Sequence, residues 1–126
     1  MKNKLILVID DEPEIRSLLS RFLGRKGFSV ETAGTLKEGR ILLDNSHPEL
    51  IFLDVNLPDG DGINELKHIN SGRSQVKVIM MSAFDHHEIK MEAIQNGALD
   101  FLSKPFNIAR LDQVVQSQII NLSNSK

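Results

Sequence analysis

Four short apolar runs end in polar residues whose types could do chemistry together. Leu5-Ile6-Leu7-Val8-Ile9 runs into Asp10-Asp11-Glu12, and Leu50-Ile51-Phe52-Leu53 runs into Asp54. Val76-Lys77-Val78-Ile79-Met80 leads to Ser82, and Ala98-Leu99-Asp100-Phe101-Leu102 leads to Lys104-Pro105. Carboxylates crowded together repel, which favours either a raised pKa or a bound cation. With oxygen ligands alone the suitable ions are hard ones, and Mg²⁺ keeps several waters when one or two carboxylates hold it. A lone lysine is a point charge that can meet an anion as well as balance acids. A hydroxyl at Ser82 adds one more donor. Such a set meets the needs of phosphoryl transfer: a nucleophile, charge neutralisation and positioned donors.

For these residues to meet, the runs must lie side by side. β-branched apolar segments at 5–9, 28–30, 50–53, 76–80 and 98–102 read as buried strands. Helical periods lie between them. Ile15, Leu18, Leu19, Phe22 and Leu23 form one stripe, with Pro13 suited to its first turn and Gly27 to its end. Thr35 with Glu38, and Asp85 with Glu88, are capping-box patterns; the first opens a helix through Leu43, and Gly97 stops the helix after the second. Asn107 can cap a last helix whose apolar side carries Leu111, Val114, Val115, Gln118, Ile119 and Leu122. The segment 62–69 is the least marked helix, being short and opening with Gly62. Five strand–helix alternations predict a doubly wound α/β fold, a flavodoxin-like (βα)5 three-layer sandwich whose parallel five-stranded sheet has order 2-1-3-4-5. In open α/β sheets function gathers at the carboxyl ends of strands. That order gathers Asp10, Asp11, Asp54, Ser82 and Lys104 around one crevice. The domain is expected over 4–122, with a polar tail at 123–126.

Composition narrows the function. Of 126 residues 40% are hydrophobic and 25% charged, as in an ordinary globular domain. Fifteen Lys and Arg against 17 Asp and Glu leave a net charge of −2, so no cationic field awaits a nucleic acid. The absence of cysteine removes disulfides, thiolate metal sites and cysteine nucleophiles. No apolar run reaches the ~18 residues of a membrane span, and the N-terminus lacks a signal-peptide pattern, so the expected location is cytoplasmic, without membrane contact. His86-His87 has no third ligand at helical spacing and reads as a solvated first helical turn rather than a zinc site.

With these motifs in place, the chain resembles a response-regulator receiver domain of two-component signalling systems. The matching residues are Ile9-Asp10-Asp11-Glu12-Pro13, Leu53-Asp54-Val55-Asn56-Leu57-Pro58-Asp59-Gly60-Asp61-Gly62, Met81-Ser82-Ala83 and Phe101-Leu102-Ser103-Lys104-Pro105-Phe106. The resemblance implies that Asp54 accepts a phosphoryl group from a sensor histidine kinase or a phosphotransfer protein. It implies that Asp11 is the main metal-ligating acid, that Asp10 orients a coordinated water, and that Asn56 offers its backbone carbonyl to Mg²⁺, with Mn²⁺ as a substitute. Ser82 and Lys104 would contact the phosphoryl oxygens, and Ser82 with Phe101 would act as the switch. The Lys104–Pro105 bond would be cis. The face made by the fourth helix, the fifth sheet strand and the fifth helix would change on phosphorylation and serve an effector domain or a homodimer. Such a domain modifies itself, with slow autodephosphorylation, and turns over no external substrate.

Other readings fit less well. A Mg²⁺-dependent aspartyl-phosphate phosphatase would carry Asp-x-Asp after its first strand, where this chain has Asp10-Asp11. A flavodoxin would need a hydroxyl- and glycine-rich phosphate loop there, and a carboxylate pair would repel the phosphate. An unphosphorylated pseudo-receiver that acts only by contact has no need of Asp11, Asp54, Ser82 and Lys104 together.

Overall fold

The computed structural model describes residues 4–72, 76–84 and 86–123. Five parallel strands, β1 (Leu5–Ile9), β2 (Ser29–Ala33), β3 (Leu50–Asp54), β4 (Lys77–Ser82) and β5 (Asp100–Ser103), form one sheet of order β2-β1-β3-β4-β5. The helices are α1 (Pro13–Arg25), α2 (Leu36–Ser46), α3 (Gly62–Ser71), α4 (His87–Gln95) and α5 (Ile108–Ser123). A small antiparallel ladder, Asn56–Leu57 against Gly60–Asp61, stands outside the sheet. The fold and strand order are those expected.

Alternation along the strands splits the core in two. Leu7, Ile9, Ile51, Leu53, Val78, Met80 and Phe101 face one side, with Leu36, Leu66 and Ala93 from α2, α3 and α4. Ile6, Val8, Leu50, Phe52, Ile79, Met81 and Leu102 face the other, with Leu19, Leu23, Leu111, Val114 and Val115 from α1 and α5. The other positions expected on the α5 stripe, Gln118, Ile119 and Leu122, have side chains outside the described residues.

Several boundaries moved for local reasons. Phe28 closes α1 rather than opening β2: its N–H donates to Leu23 O at 3.2 Å, beyond Gly27 at φ +95°. Ala98 likewise belongs to the end of α4, donating to Ala93 O, so β5 starts later than expected. Helix α2 runs past Leu43 to Ser46, where His47 adopts a left-handed conformation with φ 53°. Thr35 Oγ1 accepts from Glu38 N–H at 3.1 Å as the capping box requires, while Glu38 Oε1 returns to the N–H of Gly34 instead of Thr35. Helix α4 begins at His87 with His86 at its N-cap and no side-chain cap; Asp85, expected to cap it, lies outside the described residues. Asn107 Oδ1 accepts from Arg110 N–H at 2.7 Å, as expected. Ser123 is part of α5 rather than of a tail, and residues 124–126 lie outside the described residues.

Gly62 explains why α3 opens so poorly in sequence. A Cβ there would stand 2.0 Å from the Asp54 carbonyl oxygen and 2.9 Å from Val55 Cα, so only glycine lets the helix start against the end of β3. Its N–H donates to Val55 O, and Asp61 caps the helix by accepting from Ile63 N–H.

Candidate functional site

Each polar residue inherits its direction from the strand that ends in it. Asp10 and Asp54 continue the alternation of Ile6–Val8 and Leu50–Phe52, and both are buried. Adjacent parallel strands bring them together, because β1 and β3 are hydrogen-bonded neighbours in register. Ser82 continues the opposite alternation, that of Val78 and Met80, and so shares a side with Phe101. Lys104 follows β5, and its N–H donates to Ser82 O at 2.8 Å, which ties the loop after β5 to the tip of β4. The Lys104–Pro105 bond is cis.

Lys104 joins the acids. Its Nζ lies 2.7 Å from Asp10 Oδ2, 2.7 Å from Glu12 Oε1 and 3.1 Å from Asp54 Oδ2, and its side chain is only 7% exposed. Burial alone would lower the lysine pKa, but bonds to Asp10 and Glu12 and the charge of Asp54 raise it above its ordinary value. The group is a fixed ammonium. Burial pushes the Asp54 carboxyl up to about 6, with the Asp10 charge adding to the rise and Lys104 opposing it. Asp10 is raised as well, chiefly by burial, against its contact with Lys104 and the bond that its Oδ1 accepts from Glu12 N–H. Asn56 N–H donates to Asp54 Oδ1 at 3.2 Å. Arg16 reaches the Asp10 carbonyl with Nη1 at 2.7 Å, anchoring α1 to the same corner.

One oxygen of each of Asp10, Asp11, Glu12 and Asp54 lies within 4.8 Å of the others. Asp10 Oδ2 is fully buried and makes no hydrogen bond, its approach to Lys104 being an ion pair at poor angles. A buried carboxylate oxygen without a hydrogen bond, beside an exposed Asp11, suits a hard divalent cation, which Asp10, Asp11, Glu12 and Asp54 could hold. Such an ion would neutralise part of the acid crowd.

The other expected positions sit at varied distance from this chemistry. Ser82 is buried, and its Oγ accepts from Phe84 N–H at 2.9 Å, so its acceptor side is occupied by its own loop. Phe101 is one strand further on, already buried, with Lys90 Nζ 5.9 Å from the ring centroid. His86 and His87 are exposed, and Phe84, also exposed, stacks on the His86 ring.

The family model described as the response regulator receiver domain matches residues 6–116. The chain belongs to that family. As a receiver domain of two-component response regulators, its general role is phosphoryl transfer in signalling. Response regulator protein PilR of Pseudomonas aeruginosa is 35% identical over 119 residues, which cover 94% of this chain and 27% of that protein. Sporulation initiation phosphotransferase F of Bacillus subtilis is 30% identical over 124 residues, 98% of this receiver domain and 100% of that protein. A two-component response regulator from Clostridium difficile superposes with a TM-score of 0.89 at 29% identity, covering 98% of this chain and 100% of that one. The receiver spans between about a quarter and a half of the length of the first curated relatives it matches. Among its described residues no helix is long and apolar enough to cross a membrane.

Three contributors escaped the sequence reading. Glu12 was seen only as part of an acidic run, although a third acid beside Asp10-Asp11 was the available signal. Asp59 was named only within the run after Asp54, yet its two oxygens accept from Leu36 and Lys37 N–H at 2.8 and 3.0 Å, capping α2 from that loop. Glu65, buried on α3, takes a bidentate contact from Arg40 of α2, with Nη2 at 2.6 Å.

Proposed function

We propose that this receiver is a phosphorylation-controlled switch in which Asp54 is the acceptor. The observation that carries the reading is the placement of Asp54: buried at a strand tip, 3.1 Å from the Lys104 ammonium and inside a group of carboxylates suited to a divalent ion. One Asp54 oxygen attacks the phosphorus of a phosphohistidine. The new O–P bond forms as the N–P bond breaks, and its electron pair returns to the donor imidazole. The nucleophile must be ionised, and with a pKa of about 6 it is largely so at neutral pH. Lys104 supplies positive charge where the transferred oxygens arrive. Mg²⁺, held by Asp10, Asp11, Asp54 and the Asn56 carbonyl, would supply charge neutralisation for acceptor and phosphoryl group alike, and Mn²⁺ would serve in its place.

The donor is a sensor histidine kinase or a phosphotransfer protein, and the domain turns over no external substrate beyond slow loss of its own acyl phosphate. The Ser82 hydroxyl is the donor that moves toward the new charge, and its loop carries the change to the face built by α4, β5 and α5. Phe101, on the same side of the sheet one strand further on, acts with Ser82 as the switch. The face then serves an effector domain or a second copy.

The test is incubation with acetyl phosphate and Mg²⁺, read by intact mass. One added phosphoryl group that disappears with Asp54→Asn or with EDTA supports the proposal. Equal labelling of Asp54→Asn refutes it.

A further inference from the structure

Lys104 is held by two hydrogen bonds, to Glu12 and Asp54, and by an ion pair with Asp10. An ammonium carries three hydrogens and no acceptor, and three carboxylates stand around this one, at 2.7, 2.7 and 3.1 Å. The longest contact is the one to Asp54. The contact to Glu12 is a direct hydrogen bond joining positions 92 residues apart in the chain.

Beyond its place among the acids, Glu12 takes no capping role. It occupies the N-cap of α1, where a Ser, Thr, Asp or Asn side chain would ordinarily accept from the helix amides, yet it makes no side-chain cap. Its backbone is fixed from both directions: the N–H donates to Asp10 Oδ1 at 2.8 Å, and the carbonyl accepts from Ile15 and Arg16 N–H at 3.1 and 3.2 Å. The carboxylate, 54% exposed, gives up capping and part of its hydration for the contact with Lys104. Ion pairs with an exposed partner add little to stability, so fold stability is a weak reason for this arrangement.

We propose that Glu12 is a positioning residue that holds the Lys104 ammonium back from Asp54, so that an anion arriving at Asp54 must draw Lys104 out of its pair with Glu12. The inference rests on the acceptor reading and adds to it a device that sets anion affinity. Before the anion arrives, Lys104 is nearer Asp10 and Glu12 than Asp54. A phosphoryl group on Asp54 offers strong acceptor oxygens, and a lysine that turns to them loses the bond to Glu12. The strength of the Glu12 pair therefore opposes capture of the anion.

The experiment compares wild type, Glu12→Gln and Glu12→Asp by calorimetric titration with beryllofluoride in the presence of Mg²⁺, and with Mg²⁺ alone. Glu12→Gln removes the charge, whereas Glu12→Asp keeps it but withdraws it by one methylene. Both should tighten beryllofluoride about three- to fivefold, the size of a partly exposed ion pair, while Mg²⁺ affinity changes less than about twofold. A gain confined to Glu12→Gln marks a general field effect and overturns the positioning role, as does a gain confined to Glu12→Asp. Unchanged or weaker anion binding in both variants overturns it too. Weakened Mg²⁺ binding in both makes Glu12 an ion ligand and overturns it as well. If wild type binds no beryllofluoride, the acceptor reading fails first and this inference falls with it.

Discussion

An acceptor that is hard to ionise should weaken the fold, and Asp54→Asn should relieve that cost. The rise of the Asp54 pKa from its ordinary 3.8 to about 6 is a difference between folded and unfolded states, and so a stability difference. At 1.36 kcal/mol for each tenfold step, the full penalty is about 3 kcal/mol. Its sign follows from proton counting. Between pH 3.8 and about 6 the native state holds the Asp54 proton more firmly than the unfolded chain, so stability falls as pH rises through that window and stays low above it. The side chain is almost fully buried, so solvent does little to screen the effect. An amide at position 54 carries no such penalty, and Lys104 keeps Asp10 and Glu12 as partners. Urea melts of wild type and Asp54→Asn in metal-free buffer at pH 4.5 and 7.5 measure the difference. The variant should be the more stable by about 1 kcal/mol at the lower pH and about 3 kcal/mol at the higher. An advantage that does not grow with pH, or a variant less stable than wild type at pH 7.5, would refute the reasoning.

Gly62→Ala forces a methyl group against the Asp54 carbonyl, which is backbone and cannot rotate away; it should cost about 2–3 kcal/mol in a urea melt and lower phosphoryl labelling of Asp54. Asp59→Ala removes the oxygens that cap α2, and amide exchange at Leu36 and Lys37 should quicken at neutral pH. Bonds to those amides hold the Asp59 carboxyl below its ordinary 3.8, so in wild type the cap persists above that pH and is lost as pH falls beneath it. Phe84→Glu replaces an exposed ring two positions after Ser82 with a group that accepts protons from water. A time course of dephosphorylation should show a shorter lifetime, and an equal or longer one counts against a role for the ring in excluding water.

What the sequence disclosed depended on how far apart the interacting residues lie. Strand tips were legible because period-two burial is local: five apolar runs and their polar ends place Asp10, Asp54, Ser82 and Lys104 on one sheet edge. The start and end of β2 were not, since an edge strand is half solvated and its Glu31 and Thr32 break the apolar pattern. Phe28 misled for a related reason, being apolar to pack beneath the end of α1 rather than to begin a strand. The Lys104–Glu12 bond and the Asp59 cap join distant segments through side chains, and neither leaves a periodic trace. Gly62 is the reverse case: its presence was visible, but the reason is an approach of two backbones that only the folded chain contains.

The division of the sheet into two cores has a consequence for engineering. Asp10 and Asp54 belong to the side packed by α1 and α5, whereas Ser82 and Phe101 belong to the side packed by α2, α3 and α4. Apolar residues in separate packed layers share few partners, so their substitutions should combine additively, whereas Ser82 stays coupled to Asp54 through the proposed switch. A designer could therefore exchange the α4 part of the signalling face for that of another receiver and leave the acid layer, with α5 packed on it, intact. The exchange has one delicate seam, the tip of β5, because Lys104 leaves that strand to reach across to the acids while its own N–H stays tied to Ser82.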